Sequence, residues 1–258
     1  MSEINYHTHT CRCGHASGSD EEYVKCAIQV GYKVLGFSDH APFKDYSHPR
    51  SHMEWEQLDE YIESIQSLKK KYEGIIDIKV GLETEYYPFN YEERRYLKQK
   101  VEYLLLGQHF TSPEQTVSYF KENTEEEILT YADSICNAID TGLFMYVCHP
   151  DVFMSRQKCF SAACETAAHR IAKKAAERKI PLEVNVRGVM KGKRTYNDGM
   201  YYSYPFRRFW EIAAQYPIQC ILGIDAHDPQ DLLDFQAIET SLKLLEGLPL
   251  HYISEEIL

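Results

Sequence analysis

Short apolar runs alternate with longer amphipathic stretches along most of the chain. Seven runs rich in Val, Ile and Leu predict buried parallel strands, at residues 4–9, 34–40, 76–86, 103–110, 144–152, 181–188 and 220–227. Apolar residues at helical spacing predict the intervening helices, most clearly at 20–31, 54–72, 91–102, 124–140, 161–178 and 204–215. This alternation indicates a parallel α/β barrel or a doubly wound sheet, with one strand fewer than the eight of a standard barrel.

Two predicted helices begin with recognisable capping patterns. Ser19 lies three residues before Glu22, which is the spacing of a capping box. Asn123 or Thr124 precedes a run of glutamates that suits the first turn of a helix. There is no low-complexity stretch or linker, so we expect residues 1–258 to form one domain.

Histidines are concentrated where the predicted strands end. Six of the eleven lie at or near the C-terminal end of a strand, namely His7, His9, His40, His109, His149 and His227. Glu83 and Asp225 take comparable places on their own strands. In a closed parallel barrel these ends meet at one mouth, which is where such folds carry their active sites.

Two pairs of residues sharpen this prediction. His7 and His9 are two apart on a strand, so their side chains share a face, and Asp225 and His227 repeat that spacing on the last strand. If the barrel closes, the first and last strands are neighbours. Imidazole and carboxylate together suit a divalent ion such as Zn, Fe or Mn. The pattern therefore predicts a metal site.

The charge balance narrows the class of partner. With 28 Lys and Arg against 39 Asp and Glu, the net charge is −11, which argues against broad contact with a nucleic-acid backbone. We interpret the short basic runs at 69–71 and 191–194 as a helix end and a loop. A small anionic substrate fits, because bound metal ions supply local positive charge. The chain shows no signal-peptide pattern and no apolar run of membrane-spanning length, so we expect no membrane partner and a cytoplasmic location.

The cysteines near the N-terminus suggest two other kinds of site. Cys11 and Cys13 are too close together for the C-x2-C spacing of a zinc knuckle, and no second pair completes a tetrahedral site. A nucleophilic Cys11 would need a base, whereas the neighbouring histidines fit metal ligands better. We therefore interpret both cysteines as packing residues beside the site, in a chain with reduced thiols.

Seven short motifs occur in a characteristic order. They are "HTHT", "GHAS", "GFSDHAP", "GLETEYYP", "LLLGQHF", "VCHPD" and "GIDAH". This ordered set resembles the polymerase and histidinol phosphatase (PHP) family, and the segment "MEWEQLDEYIESIQSLKKKY" resembles its histidinol-phosphatase branch. The resemblance implies a distorted (β/α)7 TIM-like barrel, with a metal site at the C-terminal ends of the strands.

The resemblance also implies nine ligands for three divalent ions, which would be Zn, Fe or Mn. The ligands fall into three sets. The first set is His7, His9, Glu83 and Asp225. The second is Glu83, His109 and His149, so that Glu83 bridges two ions. The third is His15, His40 and His227.

The activity implied by the resemblance is hydrolysis of L-histidinol phosphate to L-histidinol and phosphate, a step of histidine biosynthesis, by a hydroxide that bridges two ions. Glu83 would be central to catalysis. Asp39 and Asp151 each lie beside a ligand histidine, where they would orient the ligand or donate a proton.

Residues that contact the small phosphorylated substrate are predicted from their position in the sequence near the barrel mouth. Arg156 and Arg187 are the best-placed arginines, since a guanidinium binds phosphate through two nitrogens. Asn185 shares a strand face with Arg187, and Ser17 is a further hydrogen-bond donor.

Three alternatives stay open from the sequence. A PHP-type phosphoesterase acting on nucleotides or nucleic-acid ends would use the same metal site, although the chain lacks a basic track with interleaved aromatics. A metal-dependent amidohydrolase also begins with H-x-H on its first strand. A regulatory domain with a structural metal site is the third, non-enzymatic alternative.

Overall fold

Eight parallel strands form the main sheet of the structure, a computed structural model that describes residues 3–258. Their order is β1 (Ile4–Asn5), β2 (Val34–Phe37), β3 (Asp77–Thr84), β4 (Tyr103–Leu106), β5 (Tyr146–Val147), β6 (Leu182–Asn185), β9 (Gln219–Gly223) and β10 (His251–Tyr252). A separate antiparallel hairpin consists of β7 (Lys193–Tyr196) and β8 (Gly199–Tyr202).

The sheet curls until its first strand meets its seventh. Beyond the end of β1, Thr8 forms a parallel bridge with Ala226, which follows β9. The His9 amide donates to the Ala226 carbonyl at 2.8 Å, and the Ala226 amide donates to the His7 carbonyl at 3.2 Å. These bonds join the two ends of the seven-strand run, and the distorted (β/α)7 TIM-like barrel is confirmed. The eighth strand, β10, pairs with the start of β9.

Helices follow most of the barrel strands. Their bounds are α1 (Asp20–Val30), α2 (Leu58–Lys71), α3 (Tyr91–Lys100), α4 (Glu125–Asp140), α5 (Ala162–Arg178), α6 (Arg187–Met190), α7 (Arg207–Ala213) and α8 (Phe235–Leu244). The capping box at Ser19 and Glu22 is present, and Thr124 rather than Asn123 caps α4. None of the helices within residues 3–258 has the length and apolar content that crossing a bilayer requires.

The observed elements differ from the sequence predictions mainly at their ends. The predicted helix at 54–72 divides into a 3-10 turn, Trp55–Gln57, and α2. The predicted strands at 4–9 and 144–152 keep only two continuous ladder residues each, and the end of the first is joined to the sheet by the single bridge from Thr8 to Ala226. The hairpin and β10 were not predicted, since their mostly exposed residues give no clear apolar period. The sequence prediction also missed α8, although its buried Ala237, Ile238 and Ser241 have helical spacing.

Tyrosines fill the barrel interior below the mouth. The hydroxyl of Tyr103 donates to the carbonyls of Tyr6 at 2.7 Å and Phe37 at 2.9 Å. Gly36 and Gly81 leave room for that ring, because a Cβ at either position would lie 2.3 Å from an atom of the Tyr103 side chain. This packed interior closes the barrel beneath the histidines, so any site there opens at the strand ends.

Candidate metal centre

All nine predicted ligands lie together at the C-terminal ends of the strands. The first group surrounds one point. The Nε2 atoms of His7 and His9 are 3.1 Å apart, and Glu83 Oε2 lies 3.5 Å from each of them. Asp225 Oδ1 lies 3.7 Å from His7 Nε2 and 3.2 Å from His9 Nε2. Ligands of a tetrahedral ion with bonds of about 2.0–2.1 Å are roughly 3.3–3.4 Å apart, so this group fits one divalent ion.

The second group uses the other oxygen of Glu83. Glu83 Oε1 lies 2.9 Å from His149 Nε2 and 3.4 Å from His109 Nε2, and these two nitrogens are 3.2 Å apart. The two carboxylate oxygens of Glu83 therefore face different groups. This geometry suits a carboxylate that bridges two ions.

The third group lies on the outer side of the mouth. His15 Nε2 and His227 Nε2 are 3.0 Å apart, and the ring of His40 lies 5.3 Å from that of His15. One donor atom from each of the three residues lies within 4.8 Å of the others. His40 also approaches the first group, because its Nδ1 is 3.1 Å from Glu83 Oε2.

The hydrogen bonds of the imidazoles test whether a cation fits these groups. His7 Nδ1 is 2.7 Å from Glu183 Oε1, and His9 Nδ1 is 3.4 Å from Asp39 Oδ1. An ionised carboxylate only accepts hydrogen bonds, so each Nδ1 carries the proton and a neutral ring leaves a lone pair on Nε2.

The outer histidines repeat this arrangement. His15 Nδ1 donates to the Cys13 carbonyl and His227 Nδ1 to the Asp225 carbonyl, each at 3.0 Å. In the His7–His9 and His15–His227 pairs, two Nε2 atoms therefore face each other at 3.1 and 3.0 Å, an approach that needs a cation between them, either a proton or a metal ion. Glu83 Oε2 and His40 Nδ1 are also buried without a hydrogen-bond partner. The donor set therefore fits divalent metal ions.

Charge reinforces this fit at Glu83. Burial alone would raise the pKa of its carboxyl, but the positive charge that the surrounding imidazoles carry when protonated, with His109 the strongest, holds that pKa well below its usual range. The side chain is therefore a carboxylate with both oxygens available to cations.

Two buried glutamates that the sequence analysis missed orient the ligands. Glu183 on β6 accepts from His7 Nδ1 and, through Oε2, from the His149 amide at 2.9 Å. Glu85 binds His109 Nδ1 at 3.1 Å and His52 Nε2 at 3.0 Å. A glutamate inside an apolar strand was the available signal for Glu183. Such partners fix the tautomer and raise the basicity of a metal-bound imidazole.

The structure places Asp39 and Asp151 behind the ligands, where neither borders the cavity at the mouth. Asp39 is fully buried, accepts from the Thr10 hydroxyl and the His40 amide, and lies against His9. Asp151 accepts from the Phe206 amide at 2.6 Å and from Trp210 Nε1 at 3.1 Å. Burial raises the pKa of Asp151 to about 7. These contacts suit positioning rather than proton transfer to a bound substrate.

Backbone conformation and glycines make room for the cluster. His149 and Asp225 have positive φ values of 28° and 56°, in the left-handed region that non-glycine residues rarely adopt. A Cβ at Gly107 would lie 1.9 Å from Glu83 Oε1, and one at Gly223 would lie 1.8 Å from Glu183 Oε1. Both glycines therefore leave space that a buried carboxylate fills.

A cavity of about 290 Å³ opens above the ligands. Its wall includes three cationic side chains, Arg50, Arg187 and Lys191, of which only Arg187 was predicted. Arg187 Nη1 is held by Asp231 Oδ2 at 2.7 Å. The run at 191–194, interpreted from sequence as a loop, thus contributes Lys191 to the cavity before it enters β7.

The other three predicted substrate contacts do not border this cavity. Asn185 is buried and donates to Glu183 Oε2 at 2.8 Å and Asp225 Oδ2 at 3.2 Å, so it positions carboxylates. The Ser17 hydroxyl donates to Asp228 Oδ2 at 2.6 Å beside a separate surface hollow. Arg156 is exposed at the end of the 3-10 turn Val152–Arg156.

Of the two N-terminal cysteines, Cys13 lies beside the ligands: its carbonyl accepts from His15 Nδ1, and its thiol lies within 4.8 Å of ligand atoms of His9 and His227. Cys11 is exposed, and the buried Cys13 thiol donates to the Thr10 carbonyl. Burial raises the pKa of Cys13, which keeps it a thiol.

Together, the curled parallel sheet and the cluster of histidines and carboxylates at its strand ends define a TIM-like barrel protein with a metal centre. The chain belongs to the PHP domain family, whose model matches residues 5–187.

Curated relatives match along most of their length. The chain is 27% identical to the histidinol-phosphatase of Bacillus subtilis (strain 168), over 90% of this chain and 96% of that protein. It is also 27% identical to a protein of Deinococcus radiodurans named "Probable histidinol-phosphatase", over 88% of this chain and 86% of the relative.

A solved structure shares the fold. The histidinol phosphate phosphatase of Lactococcus lactis, determined with zinc, L-histidinol and phosphate, superposes with a TM-score of 0.73 at 17% identity. That match covers 97% of this chain and 95% of the other.

Proposed function

We propose that this protein is a metal-dependent phosphomonoesterase that hydrolyses L-histidinol phosphate to L-histidinol and phosphate, with residues 1–258 acting as one barrel domain. The observation that carries the proposal is Glu83, whose two carboxylate oxygens face two separate pairs of imidazole nitrogens beneath a cationic cavity. The histidinol-phosphatase names of the curated relatives support the choice of substrate.

We propose three divalent ions, of Zn, Fe or Mn, one for each group of ligands. The imidazole and carboxylate donors suit these metals. Divalent ions bound there would activate a water molecule and neutralise charge on the phosphoryl oxygens.

The chain's own groups would bind and orient the ester. Arg187, held by Asp231, presents its guanidinium to the cavity, where it would bind phosphoryl oxygens. Glu183 and Glu85 keep the Nδ1 protons of their histidines in place, so the Nε2 lone pairs stay directed inward.

A panel of phosphate esters tests the proposed substrate. We expect kcat/KM for L-histidinol phosphate to exceed that for nucleoside monophosphates and for 3′- and 5′-phosphorylated oligonucleotides. A clear preference for a nucleotide or an oligonucleotide end would replace the proposed substrate while keeping the phosphoesterase chemistry.

A further inference from the structure

The leaving group of an alkyl phosphate is an alkoxide, which needs a proton as the ester bond breaks. Asp39 and Asp151 were predicted either to orient a ligand or to donate this proton, and neither borders the cavity. Within residues 3–258, fourteen residues line its wall.

Most of those residues are unable to donate. Seven are proposed metal ligands: His15, His40, Glu83, His109, His149, Asp225 and His227. His52 has no proton free for the substrate, because its Nε2 donates to Glu85 and its Nδ1 accepts from Gln115 Nε2 at 3.0 Å. Arg50 and Arg187 keep their protons, because a guanidinium has a pKa above about 12. Phe110 and Phe120 carry no acidic proton, and the Ser51 hydroxyl is a weak acid. Lys191 remains.

The surroundings of Lys191 direct its ammonium towards the second group of ligands. Its Nζ donates to the Tyr204 hydroxyl at 2.8 Å and lies 4.9 Å from the centre of the Phe120 ring. Phe120 stacks on His109 with centroids 5.7 Å apart, and the Tyr204 ring lies 6.2 Å from that of His149. The ammonium thus borders the cavity beside the two histidines that share Glu83 Oε1.

Lys191 has no carboxylate that would hold its proton. Among the described residues it forms no ion pair, whereas Arg187, the first residue of α6, is bound to Asp231. Lys191 directly follows the last residue of that helix. Two cations four residues apart repel each other on a helix. Lys191 is exposed as a residue, and its repulsion from Arg187 would be compensated by a dianionic phosphoryl group in the cavity. Burial lowers the pKa of Lys191, with Asp225 and Glu83 opposing the shift and Arg187 and Arg194 adding to it.

We propose that Lys191 is a catalytic residue that donates the proton to the leaving oxygen of the phosphate ester. Water oxygen bonds to phosphorus, the bond from phosphorus to the ester oxygen breaks, and the Nζ proton passes to that oxygen. The neutral amine then recovers a proton from solvent, which has received the proton lost by the attacking water. The inference rests on the proposed function.

Substrates with different leaving groups test this role. Lys191→Met and Lys191→Arg are compared with the parent protein on L-histidinol phosphate, ethyl phosphate and 2,4-dinitrophenyl phosphate, whose leaving group needs no proton. We expect both variants to lose about 10²–10⁴-fold in kcat on the alkyl esters but less than about tenfold on the dinitrophenyl ester. Lys191→Arg keeps the charge but gives up no proton, so it should not rescue alkyl ester hydrolysis.

Two further readouts separate proton donation from folding and from charge. Metal content should be unchanged in both variants, and Lys191→Arg should bind inorganic phosphate as the parent does. Lys193→Met is the matched control, because Lys193 also lies over an aromatic ring, Tyr202, but does not border the cavity.

Equal losses on all three esters, or recovery of alkyl ester hydrolysis by Lys191→Arg, would overturn the assignment and leave Lys191 a binding charge. A parent protein that hydrolyses ethyl phosphate but not L-histidinol phosphate would instead refute the proposed substrate. The leaving-group comparison on ethyl phosphate would still decide the role of Lys191.

Discussion

Gly107, directly after β4, determines how much space the bridging carboxylate has. In Gly107→Ala the new Cβ would lie 1.9 Å from Glu83 Oε1, 2.5 Å from its Cδ and 2.7 Å from its Cγ. The carboxylate must therefore move by at least about 1 Å to clear the new Cβ, and by about 1.5 Å to reach an ordinary van der Waals separation. Because Glu83 Oε1 is only 2.9 Å from His149 Nε2, such a shift disrupts the second ligand group.

We expect Gly107→Ala to lose roughly 10²-fold in kcat/KM, which is the effect of misplacing a catalytic group by about 1 Å. Crowding should also cost about 1–3 kcal/mol in the free energy of unfolding. The assays are metal content per chain, kcat/KM for L-histidinol phosphate, and denaturant unfolding. The bound metal should fall while the fold persists.

Gly142→Ala is the matched control. Nothing lies within 4 Å of a Cβ at Gly142, and its φ of 69° makes alanine strained there. We expect a loss of about 1–2 kcal/mol in stability without a change in metal content or rate. A Gly107→Ala variant with full metal content and an unchanged rate would refute the placement of Glu83 between two ions.

Three other variants test separate parts of the centre. Glu83→Gln replaces a bridging oxygen by an amide nitrogen that binds no cation. Metal content should therefore fall, and the rate of hydrolysis should drop by roughly 10²-fold or more. Unchanged metal content would show that Glu83 does not bridge two ions. Glu183→Gln removes the charge beside His7 Nδ1 and should weaken metal affinity by about 10–100-fold in a chelator competition titration. Unchanged metal affinity would show that Glu183 does not support the metal centre. Asp151 has a pKa raised by burial to about 7, so the folded state holds a proton that the unfolded state releases near pH 4. The free energy of unfolding should therefore fall as pH rises from about 4 to 7, and Asp151→Asn should flatten that fall in denaturant titrations; equal slopes would contradict the buried, protonated carboxyl.

The strands and their histidines were predictable because each depends on a short stretch of sequence. Seven apolar runs of strand length gave the barrel, and five of them carry a His or Asp at or near the C-terminal end. The histidine-bearing ends were predicted as continuous strand, however, and the structure keeps at most isolated bridges there, such as those from Thr8 to Ala226 and from His40 to Glu83.

The partners of the ligands were not predictable in the same way. Glu183 acts on His7 across 176 positions, and local sequence carries no sign of that contact. Asp151 lies beside a ligand in sequence, yet the start of α7 covers it and directs it away from the cavity. Lys191 looked like part of a basic loop, because only the folded chain places it between Phe120 and Tyr204.

The central claim is that hydrolysis of L-histidinol phosphate depends on metal ions held by this cluster. The most direct measurement is the rate of phosphate release from L-histidinol phosphate by protein whose metal has been removed with a chelator. The same sample is then titrated with Zn²⁺ or Mn²⁺, and its metal content is determined at each step. We predict that the stripped protein is inactive and that activity returns as the ions bind, to about three per chain. Full activity in protein shown to be free of metal would contradict the account.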